Sequence, residues 1–364
     1  MTDEIAHFDY EHPPEAVAQE PPGRRDGARL LHVTRHSDLG PVDRTVLDLP
    51  QLIRPGDLLV LNDTQVMPAR LSGSRDTGGR VSILVLQTTG REAHVLLGTR
   101  GTCLVGEQIE VAGDLWRITQ VLGQGRHVIE AVGERTPAQL LADRGRMPLP
   151  PYIERDARQD ERDAMDRKRY QTVFADGGQP GRAVAAPTAG LHFTPELLAE
   201  VEARGARVGR VRLDVGEGTF RPVRSRRLDD HEMHTESYAV SGEFAAAFAE
   251  TRASGGRVVA VGTTVVRTLE SIVDEAGLRL EAGAGETRLF IRPGYRFRAV
   301  DALLTNFHQP RSTLLVLVSA FAGHDTVLGA YRHAVERGYR LFSYGDAMFL
   351  EDPAAAPGRP AEGA

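Results

Sequence analysis

The sequence predicts an α/β fold in which a discontinuous α/β domain carries an inserted small antiparallel β-barrel domain. Three observations predict it. Between about residues 66 and 148, short β-rich runs (VSILVL, EAHVLL, EQIEVAG, LWRITQVL, RHVIEAV) are separated by Gly-containing turns, as in a small antiparallel barrel. After Gly145, helical patterns alternate with strands, which is the α/β signature. The opening strand, DLLVLND, has the same α/β character, so the barrel interrupts that domain. The expected division is 1–65 with 149–350 for the α/β domain and 66–148 for the barrel. Residues 351–364, EDPAAAPGRPAEGA, read as a disordered tail.

Each later element has its own local reason. Thr194-Pro195-Glu196 opens a helix that stops at Gly205: the Thr caps, the Pro fits the first turn and the Gly takes the left-handed end. RVVAVG is a strand, and TTVVRTLESIVDEAG follows as a helix ending at Gly277. In DALLTNFHQPRSTLLVLVSAF (301–321), a polar cluster of Thr305, Asn306 and His308 runs into a loop closed by Pro310. Ser312 or Thr313 then caps an apolar helix. DTVLGAYRHAVERG is an amphipathic helix leading into a strand, YRLFSY.

Composition narrows the function. The 364 residues hold 41% hydrophobic and 26% charged side chains, ordinary for a soluble protein of one large or two smaller domains. The longest apolar run, Leu314 to Ala322, is too short to span a bilayer. The acidic start, MTDEIAHFDYEHPPE, is no secretion signal, so the expected location is cytoplasmic. Cys103 is the only cysteine, which excludes disulfide scaffolds, thiolate zinc sites and iron–sulfur clusters. Lys168 is the only lysine among 44 basic residues, which argues against Schiff-base and P-loop chemistry. A net charge of −6 does not advertise nucleic-acid binding. The local basic stretches at Arg24, Arg25 and Arg29 and at Arg221, Arg224, Arg226 and Arg227 read as solvated faces.

Several polar constellations lie at strand or helix ends, where α/β proteins place their sites. In Ala186-Pro187-Thr188-Ala189-Gly190-Leu191-His192-Phe193, small residues let a ligand approach and deliver His192. Leu213-Asp214-Val215-Gly216-Glu217-Gly218-Thr219-Phe220 mimics a methyltransferase glycine motif, but Phe220 replaces the third glycine and Pro222 interrupts the helix. It reads instead as a tight polar loop with Asp214 or Glu217 as an acid–base group. His231-Glu232-Met233-His234-Thr235-Glu236 lacks the spacing of a zinc helix, so no metal site is expected. A loop presenting His234 and Glu236 to a ribose or base is the more economical reading. Gly262-Thr263-Thr264 before a helix containing Arg267 is an anion-binding arrangement, against which stands an ordinary cap with an Arg267–Glu270 pair. Ser343-Tyr344-Gly345-Asp346 adds an acid beside a glycine.

Together these segments resemble the S-adenosylmethionine:tRNA ribosyltransferase-isomerase family of queuosine biosynthesis. The resemblance runs from FDYEHPPEAVAQEPPGRRDGARLL through LNDTQVMPARL, GRMPLPPYI, RYQTVFA, AAPTAGLHFT, VGEGTFRPV, HEMHTE, VGTTVVRTLES, LFIRPGYRF, VDALLTNFHQPRSTLLVLVSAF and FSYGDAM. It implies an α/β domain with an inserted barrel, and a monomer. It also implies transfer and isomerisation of the ribosyl part of S-adenosylmethionine onto 7-aminomethyl-7-deazaguanine at the wobble position of tRNA. The products would be epoxyqueuosine in tRNA, adenine and methionine. S-adenosylmethionine would be a substrate, with no metal or other cofactor. The chain departs from the usual motifs at Asp214 for His, Gln65 for Arg, Gln309 for Leu, Ser82 for Glu, and at GTRGTCL (98–104) for a Lys- and Pro-rich stretch.

That chemistry needs a base at the sulfonium-acidified 5′ carbon and an acid for departing adenine. His192, His234, His308, Asp346 and Glu236 are the candidates: His192 or His308 as base, Asp346 or Glu236 as acid. Arg267 with the Thr263-Thr264 turn would hold the methionine carboxylate. Thr188, Gly190, Gly216, Gly218, Thr219, Gly262, Thr305, Asn306 and Tyr344 complete the expected substrate-binding set. Three other readings compete: a relative acting on a free deazapurine or other small acceptor, a non-catalytic RNA-binding barrel protein, and, last, a methyltransferase.

Overall fold

The computed structural model describes residues 4–35, 40–155, 161–176, 183–216, 223 and 225–352. Strands β1 (Arg29–Thr34), β2 (Val42–Thr45) and β3 (Leu58–Asn62) precede the barrel strands. The barrel consists of β4 (Arg70–Arg75), β5 (Arg80–Thr89), β6 (Glu92–Thr99), β7 (Gln108–Val111), β8 (Asp114–Gly123) and β9 (Arg126–Ala131). Strands β10 (Arg207–Leu213), β11 (Glu236–Val240), β12 (Val258–Val261), β13 (Gly283–Thr287), β14 (Ala302–Asn306) and β15 (Ala347–Glu351) follow it. The helices are α1 (Leu49–Leu52), α2 (Pro137–Arg144), α3 (Asp163–Arg169), α4 (Pro195–Ala203), α5 (Gly242–Ala253), α6 (Thr263–Ile272), α7 (Thr313–Ala322) and α8 (His324–Glu336).

One nine-stranded sheet runs in the order β13-β11-β10-β3-β12-β14-β15-β1-β2, so chain on both sides of the barrel contributes to it. Strands β10, β3, β12 and β14 are mutually parallel, and β15 is antiparallel to β14. Strand β3, LLVLN, is buried throughout because both faces are covered. Leu58 and Val60 pack into the core beneath α5 to α8, whereas Leu59 and Leu61 pack on the opposite side with α4. The same alternation splits β12 and β15 between the two cores. No single helix among the described residues is long and apolar enough to cross a membrane.

The closed barrel β4-β5-β6-β9-β8-β7 is antiparallel throughout and buries Trp116 at its centre. The fold class is therefore the expected one, with differences in detail. The strand DLLVLND is preceded by β1 and β2, which reach the far side of the sheet. The polar, glycine-containing RLSGSR forms β4, an element that alternation does not announce. YRLFSY is no strand: Phe342 takes a left-handed φ of +71°, which ends any extended run there. The last strand begins later, at Ala347, and includes Glu351, which the sequence assigns to the tail. Helix α6 ends at Ile272, short of Gly277, because Val273 turns extended.

A strap formed by the N-terminal residues crosses the carboxyl end of the sheet. Leu341 N–H donates to Ala16 O at 2.7 Å and Ala18 N–H donates to Leu341 O at 3.2 Å. The Tyr10 hydroxyl donates to His308 O at 2.7 Å, and Arg311 N–H donates to Phe8 O at 2.7 Å.

At the opposite end a buried charge network ties four strands. Arg257, just before β12, donates to Asp57 before β3 (Nη2 to Oδ2, 2.6 Å) and to Glu351 at the end of β15 (2.6 Å). His32 Nε2 lies 2.9 Å from the same Glu351. Burial opposes the charge on Glu351, but the His32 hydrogen bond and the Arg257 charge outweigh it and hold the carboxyl below its ordinary range. Removing one partner strands a buried charge, so Asp57→Asn is expected to cost about 3 kcal/mol, read as a lower urea midpoint. Because the folded-state value of Glu351 is depressed, its contribution is complete above the ordinary 4.5 and fades as pH falls below it. An acid titration of Glu351→Gln is expected to lose that part of the wild-type slope.

Candidate functional site

The parallel strands β10, β3, β12 and β14 end together, and their carboxyl ends open a crevice, the place where α/β sheets bind ligands. A cavity occupies it, with about 600 Å³ of empty space when its open mouth is counted. Its wall comes from Ala186 to Ala189, Gly262 to Thr264, Thr305 to Gln309, Ser312, Tyr152, and Phe342 with Ser343. Val215 and Leu314 complete it. No carboxylate, guanidinium or ammonium lines this wall among the described residues, and His308 is its one imidazole.

Local sequence explains the placement. Gly262 stands at φ +93°, a left-handed turn that lets β12 pass straight into α6 with no side-chain cap. The first N–H groups of α6 therefore face the cavity beside Thr263 and Thr264. The Thr264 hydroxyl accepts from Asn62 Nδ2 at 3.3 Å. Ser312, by contrast, caps α7 by accepting from Leu315 N–H at 3.2 Å.

His308 is buried, and its Nε2 shares a 2.9 Å hydrogen bond with Thr305 Oγ1. Its Nδ1 has no protein partner among the described residues. Burial pushes its pKa down to about 3, so the ring is neutral across the working range. His192 lies one layer behind the cavity, where its Nε2 accepts from Asn306 Nδ2 at 3.3 Å. Burial lowers His192 to about 4, although a hydrogen bond to the Arg25 backbone works the other way.

The expected site residues divide into three groups. Thr188, Gly262, Thr263, Thr264, Thr305, Asn306 and His308 meet at the cavity wall. His192, Asp346, Glu236, Gly216 and Arg267 stand behind it. Asp346 accepts from the backbone N–H groups of Arg29 and Arg340, both at 2.8 Å, and burial raises its pKa. Its geometry is that of a staple between β1 and the 340–346 turn. Glu236 accepts from Gly216 N–H at 3.1 Å and pairs with Arg267 Nη1. The Arg267–Glu270 pair weighed as the alternative does not form; Glu270 instead accepts from the backbone N–H groups of Arg298, Ala299 and Val300. Arg267 Nε donates to Leu289 O, and its Nη2 is buried without a partner among the described residues.

The third group lies away from the cavity. A Cβ on Gly190 would sit 2.8 Å from the Phe174 ring, so that glycine serves close packing. The Tyr344 hydroxyl donates to Asp166 at 3.0 Å. His234 sits in the half-buried loop ahead of β11 and is absent from the wall. Glu217, Gly218, Thr219, Phe220 and Pro222 fall outside the described residues. Among the described residues no group of three or more His, Cys, Asp or Glu side chains could hold a metal ion.

Sequence reasoning missed Tyr152, Gln309, Phe342 and Ser343 as wall residues. Asp214 accepts from Thr64 Oγ1 at 2.7 Å, beside the wall residue Val215.

The buried His192 has a direct thermodynamic consequence. Its folded-state pKa is about 4 against an ordinary 6.5, so between those values the unfolded chain binds a proton that the folded chain does not. Stability is therefore lost as pH falls through that window. The melting temperature of His192→Gln is expected to fall less steeply with acidification over that window than that of the wild type.

The sequence pattern of the family described as Queuosine biosynthesis protein matches residues 5–350. A protein of Thiobacillus denitrificans named S-adenosylmethionine:tRNA ribosyltransferase-isomerase is 51% identical over 349 residues, covering 95% of this chain and 97% of its own. A protein of Anaeromyxobacter with the same name is 51% identical over 361 residues, covering 95% and 98%. The crystal structure of the S-adenosylmethionine tRNA ribosyltransferase of Thermotoga maritima is similar with a TM-score of 0.53 and 34% identity, over 94% of this chain and 99% of that one. The motifs, the barrel within an α/β sheet, and these end-to-end likenesses agree: the chain belongs to the queuosine biosynthesis protein family.

Proposed function

We propose that the chain transfers and isomerises the ribosyl moiety of S-adenosylmethionine onto 7-aminomethyl-7-deazaguanine at the wobble position of tRNA, releasing adenine and methionine. One observation carries the reading. Segments scattered from Tyr152 to Ser343 converge on a single cavity with one imidazole, in a chain about half identical to relatives named for this activity. In this reading the protein acts as a cytoplasmic monomer, with S-adenosylmethionine as a substrate and no metal. The division at residues 65/66 and 148/149 separates the catalytic α/β part from a barrel that meets RNA.

The roles follow from position. His308 is the base: its Nδ1 takes the proton from the 5′ carbon, which the adjacent sulfonium makes acidic. An imidazolium in so dry a place is a strong acid, so it passes the same proton to a ring nitrogen of departing adenine. The acceptor amine attacks as the neutral form and loses its proton to solvent. His192 already has its lone pair occupied by Asn306, and it positions that amide. The uncapped first turn of α6 receives the methionine carboxylate through its N–H groups. Arg267, through Glu236, holds Gly216 at the edge of the site. Asp346 positions the 340–346 turn.

The test mixes the protein with S-adenosylmethionine and an anticodon stem-loop carrying 7-aminomethyl-7-deazaguanine, then follows adenine release and RNA mass. Matched release and mass gain are expected. Adenine released only with a free deazapurine would transfer the activity to a small acceptor, and silence with both would remove it. His308→Ala is expected to lower kcat at least about 100-fold with little change in KM. His192→Ala is expected to retain more activity than His308→Ala. Because His308 is neutral down to about 3, the pH profile of kcat is expected to show no His308 ionisation near the ordinary 6.5.

A further inference from the structure

Phe342 occupies a backbone region that is strained for a bulky residue, at φ +71°. Its surroundings enforce this. The Phe342 carbonyl accepts from Asn306 Nδ2 at 3.1 Å and from Gly345 N–H at 3.0 Å. Gly345 is packed so tightly that a Cβ there would lie 2.4 Å from Arg340 O. The outcome is an aromatic residue held at the cavity wall, its ring 5.0 Å from that of Tyr152 at 55°. The Tyr152 hydroxyl is fixed in turn by a 2.6 Å hydrogen bond with Ser343 Oγ.

Beside this corner, Asn306 has a second unusual property. Its Nδ2 is committed to Phe342 O, Asp346 O and His192 Nε2, which fixes the orientation of the amide. Its Oδ1 is buried at the cavity wall with no partner among the described residues, the side chain belonging to a residue only 2% exposed. A buried acceptor without a protein donor is open to a donor from a ligand. A flat π-system bearing an N–H donor on its edge satisfies the ring corner and the orphan carbonyl together.

We propose that Phe342, Tyr152 and Asn306 form the subsite for the adenine ring of S-adenosylmethionine, an inference that rests on the function proposed above. The base lays one face against this ring corner, and Asn306 Oδ1 accepts from its exocyclic amine. Depth distinguishes adenine from the acceptor base: Phe342 and Asn306 are both buried, whereas a base carried on RNA must enter from the mouth.

The experiment is calorimetric titration with adenine itself, together with the KM for S-adenosylmethionine. Phe342→Leu and Tyr152→Leu keep apolar bulk but lose the π-face, and each is expected to weaken adenine binding and raise KM about tenfold. Tyr152→Phe is expected to stay within about twofold of wild type, because it keeps the ring. Affinity for the RNA stem-loop alone is expected not to move in any of the three. Wild-type affinity for adenine in both Leu variants, at unchanged melting temperature, would overturn the subsite. Adenine binding needs no turnover, so a wild type that binds adenine without releasing it from S-adenosylmethionine overturns the reaction and leaves the corner standing.

Discussion

The side chain of Asn62 is the constraint on which the site depends. Where β3 and β10 part, the Leu213 backbone would be left without its ladder partners. Asn62 accepts from Leu213 N–H at 3.1 Å and donates to Leu213 O at 3.0 Å, so one buried amide completes the ladder. Its Oδ1 also receives Thr64 N–H, and its Nδ2 reaches the Thr264 hydroxyl. A crevice between parallel strands requires backbone groups to lose one another without losing hydrogen bonds. Asn62 resolves that conflict and, in the same stroke, locates the first turn of α6.

Around this point the electrostatics are layered. The wall presents hydroxyls, amides, helix N–H groups and a neutral imidazole, while the formal charges stand one residue further back. Glu236 is matched by Arg267, Asp346 by two backbone N–H groups, and Asp214 by the Thr64 hydroxyl. Fixed dipoles in a poorly screened cavity act strongly on a charged ligand and need no reorganisation. A zwitterionic sulfonium compound would meet preorganised dipoles, with no competing side-chain ion at the wall among the described residues. Asp214 fits the layering, because it faces Thr64.

Much of this was legible in the sequence. Short apolar runs such as LLVLN and VVAV, followed by turn or helix signals, read as strands of an α/β sheet, and alternation with glycine turns announced the barrel. The wall segments 186–189, 262–264 and 305–308 were legible because small and polar residues at strand ends have few structural uses. What stayed hidden was direction. His192, Asp346 and Arg267 have the right chemistry, but which side of a turn each faces is decided by partners far away in sequence, such as Asn306, Arg29 and Glu236. Tyr152 and Phe342 were unreadable for the opposite reason: an aromatic beside prolines, or in a run like YRLFSY, looks like ordinary core. Only the backbone dihedral of Phe342 marks it out.

The strap formed by residues 8–18 carries a consequence for folding. Residues 16–18 pair with Leu341, Tyr10 holds the His308 carbonyl, and β1 lies beside β15. Segments far apart in sequence therefore meet at one place: Tyr10 and His308 are 298 positions apart. The barrel, whose contacts are local, can close early in folding, but the cavity cannot be assembled until such distant segments have met. A partly folded chain can thus hold a finished barrel while the crevice is still missing.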